Sequence, residues 1–171
     1  VSKPPASHAV PASHVKLTPG VAAANPIAVE AGLEVLRAGG GAADAAVAVQ
    51  AALGLVEPQS SGLGGGAFLL YYDAQSGTIT AFDGRETAPA AATPGMFLDE
   101  NGAPLSYQDA VTSGRSTGVP GAVAMLGLVH SKHGQLPWKS LFDAPIRAAE
   151  QVFVVPQRLG RFANSTFAQA T

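Results

Sequence analysis

The run Ser60-Ser61-Gly62-Leu63-Gly64-Gly65-Gly66 limits this chain more than any other stretch. Backbone without Cβ atoms can take positive φ and can pass very close to another group, so the run predicts a tight passage between two packed elements. Both flanking elements are readable. Residues 42–56 are apolar almost all round, interrupted by Asp44 and Gln50, which predicts a helix covered on most sides and stopped by Pro58. Residues 67–72 and 78–82 are rich in β-formers and flank Asp73-Ala74-Gln75-Ser76-Gly77, which predicts a hairpin. No Lys-Ser or Lys-Thr follows the glycines, and they lead into a strand rather than a helix, so neither a Walker loop nor a dinucleotide fingerprint fits. Ser60 and Ser61 lie outside any Gly-x-Ser-x-Gly elbow, and no His and carboxylate can be assigned to them as triad partners. On spacing alone the run is a helix-to-strand connection.

The remaining elements follow from caps and breakers. Asn25-Pro26 is a helix start, because the Asn side chain can accept an orphan N–H and proline at the first helical position loses no bond. Val29, Leu33 and Leu36 then fall on one face, and Gly39 to Gly41 end the helix. Residues 88–120, with Pro89, Pro94, Pro104 and Pro120, have no period and predict a long loop with a helical turn near residues 107–111. A helix over residues 121–133 is closed by Gly134, and another runs from Pro137 to Glu150 with a bend at Pro145. Residues 1–19 mix Pro, Ala, Ser and His and predict an N-terminal tail, with the ordered domain over residues 20–171. The order helix, helix, hairpin, loop, helix, helix predicts an α/β chain of the α+β kind, with helices packed on an antiparallel sheet. Two strands do not make a stable sheet by themselves, so strands from a missing part of the protein or from another chain are expected to complete it.

Composition narrows the chemistry. With 47% hydrophobic and 13% charged residues, a chain of 171 has ample material for a core. Ten basic against twelve acidic residues, with no basic run, argue against nucleic-acid and membrane partners. The absence of cysteine removes disulfides, thiolate metal sites and a cysteine nucleophile. The chain starts at Val1 without a basic and apolar leader, which suggests processing or trimming. His130 and His133, spaced i, i+3, could share a metal, but a solvated helix end, where the macrodipole favours a cation, explains them better. No metal site and no cofactor are expected. Arg85, in Asp83-Gly84-Arg85-Glu86 just past the second strand, stands out, because its planar paired donors match a carboxylate in a way Lys cannot. The bland alternative is a surface ion pair with Asp83 or Glu86.

Several segments in register give a resemblance. Val21-Ala22-Ala23-Ala24-Asn25-Pro26, Ala28-Val29-Glu30-Ala31-Gly32, residues 39–44, Glu57-Pro58-Gln59-Ser60-Ser61-Gly62-Leu63-Gly64-Gly65-Gly66, Asp83-Gly84-Arg85-Glu86-Thr87-Ala88-Pro89 and Gly118-Val119-Pro120-Gly121 closely resemble the γ-glutamyltransferases. The likeness runs from about residue 20 to residue 159. It implies an N-terminal nucleophile hydrolase with an αββα sandwich, made as a precursor that cuts itself into two subunits, this chain being the leading part of the large one. It also implies cleavage of the γ-glutamyl amide of glutathione and related compounds, with transfer to water or to an amino acid or peptide. The family nucleophile is a threonine freed at the start of the small subunit, so the resemblance puts no catalytic residue in this chain and expects the chain alone to be inactive. Thr171 has a preceding peptide bond and no free α-amine, and the oxyanion donors also belong to the small subunit. Arg85 matches the arginine that holds the substrate α-carboxylate; a donor lacking that group would leave the guanidinium unpaired, a loss of roughly 2–5 kcal/mol. The implied partner is the small subunit of the same precursor, and the implied location is periplasmic or secreted. Related readings are an amidase of this architecture acting on β-lactam side chains or poly-γ-glutamate, or a non-catalytic pairing fragment.

Overall fold

The protein is described by a computed structural model over residues 18–165 and residue 168. The expected tail, up to residue 17, and Thr171 lie outside the described residues. Helix α1 (Pro26–Arg37) starts as its sequence demands: the Asn25 side chain accepts the Ile27 N–H at 2.9 Å, and Pro26 takes the first turn. Its buried face is Ala28, Ala31, Gly32 and Val35, whereas the expected Val29, Leu33 and Leu36 are only half-buried. The reason is proximity to α2 (Ala42–Val56): a Cβ at Gly32 would stand 2.7 Å from Val49 Cγ2, so small residues must face the contact and larger ones flank it.

Helix α2 is the centre of the molecule. Every residue from Ala43 to Val56 is buried or half-buried, as its nearly continuous apolar character requires. Its one buried carboxylate, Asp44, is fully enclosed and fully used. It accepts the Gly41 N–H at 2.8 Å and the Gln135 N–H at 2.9 Å, tying the start of α2 to a loop 91 positions away. Full burial of Val47, Val129 and Leu141 around it contributes roughly 1.5–3 kcal/mol each.

Strands β1 (Ala67–Asp73) and β2 (Thr78–Gly84) form the expected antiparallel hairpin, with Phe68 opposite Asp83, Leu70 opposite Ala81 and Tyr72 opposite Ile79. The inner face presents Leu69, Tyr71 and Phe82 to the core and to α4 (Ala122–His133). The outer face leaves Phe68, Leu70, Tyr72 and Ile79 between 62% and 75% exposed. Among the described residues the sheet has these two strands.

The long loop contains α3 (Tyr107–Thr112), capped by Ser106, a 3-10 turn (Gly114–Ser116) and two isolated bridges, Thr87 with Val119 and Leu98 with Pro104. The predicted Pro137–Glu150 helix is corrected by the structure. A 3-10 turn (Trp138–Phe142) leads into a separate α5 (Asp143–Gln151), and the break precedes Pro145 instead of falling on it. Pro145 then sits in the first turn of α5, where a backbone N–H has no helical partner to lose. Past α5 the chain runs without regular structure through Val154 and Val155 into α6 (Gln157–Ala163).

Candidate functional site

Three chain segments converge where β2 ends. Gly65 and Gly66 come from the glycine run, Gly84 to Thr87 from the strand end, and Gly118 to Ala122 from the loop entering α4. The Gly65 carbonyl accepts the N–H groups of Gly121 at 3.2 Å and Ala122 at 3.0 Å, capping a helix whose own N-cap residue has no side chain. The Gly66 N–H donates to Glu86 Oε1 at 2.7 Å, and Thr87 and Val119 exchange two backbone bonds at 3.3 and 2.9 Å. The approach is too close for side chains. A Cβ on Gly66 would lie 2.7 Å from Glu86 Cδ, and one on Gly121 would lie 2.5 Å from the Gly84 oxygen. None of the glycines in the run takes positive φ; close passage explains Gly66, whereas a Cβ at Gly62 or Gly64 would meet open space.

Arg85 projects from this junction. Its backbone N–H donates to Asp83 Oδ1 at 2.9 Å, which fixes the turn out of the strand. Its side chain is 69% exposed, with Nη1 3.3 Å from Glu86 Oε2, outside hydrogen-bond geometry. The surface pair weighed against a functional role is thus present, with Glu86 as partner; Asp83 serves the backbone. The Glu86 carboxyl is held below the usual range by its own backbone N–H first, then by the Gly66 N–H and the Arg85 charge, against some opposition from burial. A rigid base therefore carries an exposed guanidinium beside a carboxylate whose ionised form is favoured.

The guanidinium borders an open cavity of about 380 Å3, whose lining also includes Glu86, Met96, Phe97, Arg115 and Thr117. A larger cavity of about 590 Å3 lies between the segment leading into α1 and the α1–α2 pair, against Val21, Leu36, Ala45 and Val49, and offers no charged group. The Arg85 cavity instead brings two guanidinium groups, Arg85 and Arg115, and the Glu86 carboxylate to one opening.

The histidines depart from both readings given them. His130 is largely enclosed, with Nε2 2.8 Å from the Leu136 carbonyl and 3.5 Å from Asp44 Oδ1, and its ring meets the Trp138 edge. His133 stacks on Tyr71 at 4.0 Å. The two rings turn to different partners, and neither belongs to a simply solvated helix end. Ser61 Oγ accepts from Gln50 Nε2 at 2.9 Å, a structural bond. Three roles escaped the sequence reading. The Gly118 and Gly121 pair around Pro120 could have signalled close passage, but Glu86 meets Gly66 across 20 positions and Arg115 meets carbonyls 17 and 19 positions away, with no local pattern to mark either.

Helices on one face of an antiparallel hairpin, with the other face apolar and open, make up part of an N-terminal nucleophile hydrolase sandwich. The chain belongs to the gamma-glutamyltranspeptidase family, whose model matches residues 28–170. It is 47% identical over 135 residues to the glutathione hydrolase proenzyme of Bacillus subtilis, covering 79% of this chain and 23% of that protein. The gamma-glutamyltranspeptidase of Helicobacter pylori superposes with a TM-score of 0.77 at 37% identity, over 82% of this chain and 40% of that one. That of Pseudomonas nitroreducens, complexed with L-DON, gives 0.81 at 32% identity, over 88% and 44%. The chain spans about a quarter of the length of the curated relatives it matches.

Proposed function

We propose that the complete protein is a γ-glutamyltransferase and glutathione hydrolase, and that this chain supplies the anchor for the donor's α-carboxylate. The observation that carries the reading is Arg85: an exposed guanidinium on a junction made rigid by Gly65, Gly66 and Gly121, opening on a cavity of about 380 Å3. A bidentate clamp on a carboxylate needs such a base, because the fork must be aimed and not merely charged. Glu86, ionised and tied to Gly66, holds the guanidinium near the cavity mouth until a substrate carboxylate replaces it.

In this reading the small subunit of the same precursor supplies the nucleophilic threonine. Its hydroxyl oxygen bonds to the γ-carbonyl carbon and its α-amine takes the proton. The γ-amide bond then breaks, the amine leaves with a proton, and water or an amino acid later takes the γ-glutamyl group from the oxygen. Arg85 contributes position: with the α-carboxylate fixed, the γ-carbonyl is presented at one distance. The open, apolar outer face of the hairpin supports the pairing of this chain with further polypeptide.

The test is p-nitroaniline release from γ-glutamyl-p-nitroanilide by the complete self-processed protein, with Arg85→Ala and Arg85→Lys variants. The expected result is turnover by the wild type, none by this chain alone, and a KM raised at least thirtyfold in Arg85→Ala, equivalent to about 2 kcal/mol. Lys restores only part of the affinity. A KM unchanged in Arg85→Ala removes the carboxylate assignment.

A further inference from the structure

Arg115 is the second guanidinium on the cavity that Arg85 borders, and its partners differ in kind. Arg85 faces a carboxylate; Arg115 donates from Nη1 to two backbone carbonyls, Met96 O at 3.2 Å and Leu98 O at 3.1 Å. Among the described residues no carboxylate pairs with Arg115. The two carbonyls lie on either side of Phe97, and Met96 and Phe97 form cavity wall. That wall is a bare turn. It is held from within by Met96 N–H to Thr93 O and Leu98 N–H to Gly95 O, and by the isolated Leu98–Pro104 bridge with its Leu105 N–H to Phe97 O bond. From outside, Arg115 grips it from a 3-10 turn whose far end returns through Val119 to the Thr87 bridge, two residues from Arg85. The guanidinium therefore fastens the Met96–Phe97 wall to the rigid base that aims Arg85.

We propose that Arg115 is a positioning residue for donor binding: by clamping the Met96 and Leu98 carbonyls it sets the Met96–Phe97 wall relative to Arg85 and so governs affinity for the γ-glutamyl donor. This rests on the γ-glutamyl reading of the site. Arg115 reaches the donor only through the wall, so the reacting carbonyl is untouched by it and turnover of bound donor is left alone.

The experiment uses the complete self-processed protein with Arg115→Ala and Arg115→Lys, read by steady-state kinetics on γ-glutamyl-p-nitroanilide and by amide hydrogen exchange. In Arg115→Ala, KM rises about tenfold with kcat within twofold, and amides of residues 96–105 exchange at least tenfold faster while those of α1 and α2 do not change. Arg115→Lys recovers part of both. The proposal is overturned if KM stays within twofold of wild type, if the exchange of residues 96–105 is unchanged, or if the exchange rises while KM does not, which would leave Arg115 a purely structural strut. A wild type that releases no p-nitroaniline counts instead against the γ-glutamyl reading, and the exchange measurement still decides whether Arg115 holds the wall.

Discussion

The two faces of the β1–β2 hairpin are made of similar residues and have opposite surroundings. On the inner face Phe82 is 6% exposed among α4 side chains, its ring edge-on to His133 and under Lys132 Nζ at 5.6 Å. On the outer face Phe68, one strand across, is 69% exposed. An alternating strand that buries one face reads apolar and polar by turns; a strand apolar on both faces is written for two layers. The same division runs further. Asn25 and Asp44 find their partners within the chain and α2 is largely covered by it, while Val152, Val154 and Val155 stand open at 84%, 91% and 56% exposure. The closed region specifies its own structure, and the open one leaves apolar surface uncovered within this chain.

The comparison breaks most readily at the two phenylalanines. Phe82→Ala removes a ring from a filled core and costs about 3–5 kcal/mol, whereas Phe68→Ala in this chain changes stability by about 0.5 kcal/mol or less. Urea unfolding of both variants checks the contrast, and equal losses would erase the distinction between the faces. In the complete protein the Phe68 loss grows to that of a buried ring if further polypeptide covers the outer face. Val152 gives a smaller effect of opposite sign. It holds φ 65°, ψ 147° at the end of α5, a region that suits glycine and strains a β-branched residue. Relief of that strain outweighs the extra chain entropy of glycine, so Val152→Gly raises stability by about 0.5–1 kcal/mol in thermal unfolding; a fall in Tm would mean that the strain is absent. The smallest effect is in acid. The folded Glu86 value is depressed, so its contribution is complete above the ordinary value near 4.5 and is lost as pH falls through the lower folded value. Glu86→Gln flattens that acid limb, and a pH titration of stability that keeps its shape would deny the Gly66–Glu86 bond its role.

Where local chemistry decided the outcome, the sequence was legible. Asn25-Pro26 started α1, the apolar run became the enclosed α2, and the Asp73–Gly77 break became the hairpin turn. The face of α1 was misassigned because the rule ranks Val29 and Leu33 above Ala28 and Gly32, while the contact with α2 is decided by how near two backbones can come. Pro145 was expected to bend one continuous helix, but it sits in the first turn of α5, where a proline disrupts nothing, and the break between the two helical segments comes before it. The histidines depended on Asp44 and Tyr71, which lie elsewhere in the chain. For the site, Arg85 was visible as a residue type just past a strand, and Glu86 and Arg115 were not, because their bonds reach backbone groups distant in sequence.

One peptide unit joins the two ends of the junction. The carbonyl of Gly65 and the N–H of Gly66 belong to the same rigid plane, the first bound to the start of α4 and the second to Glu86 beside Arg85. A plane cannot turn one end without the other. Rotation of that plane away from Glu86 would also withdraw the carbonyl that caps α4, so the support beneath Arg85 and the start of a core helix share a single hinge-free unit.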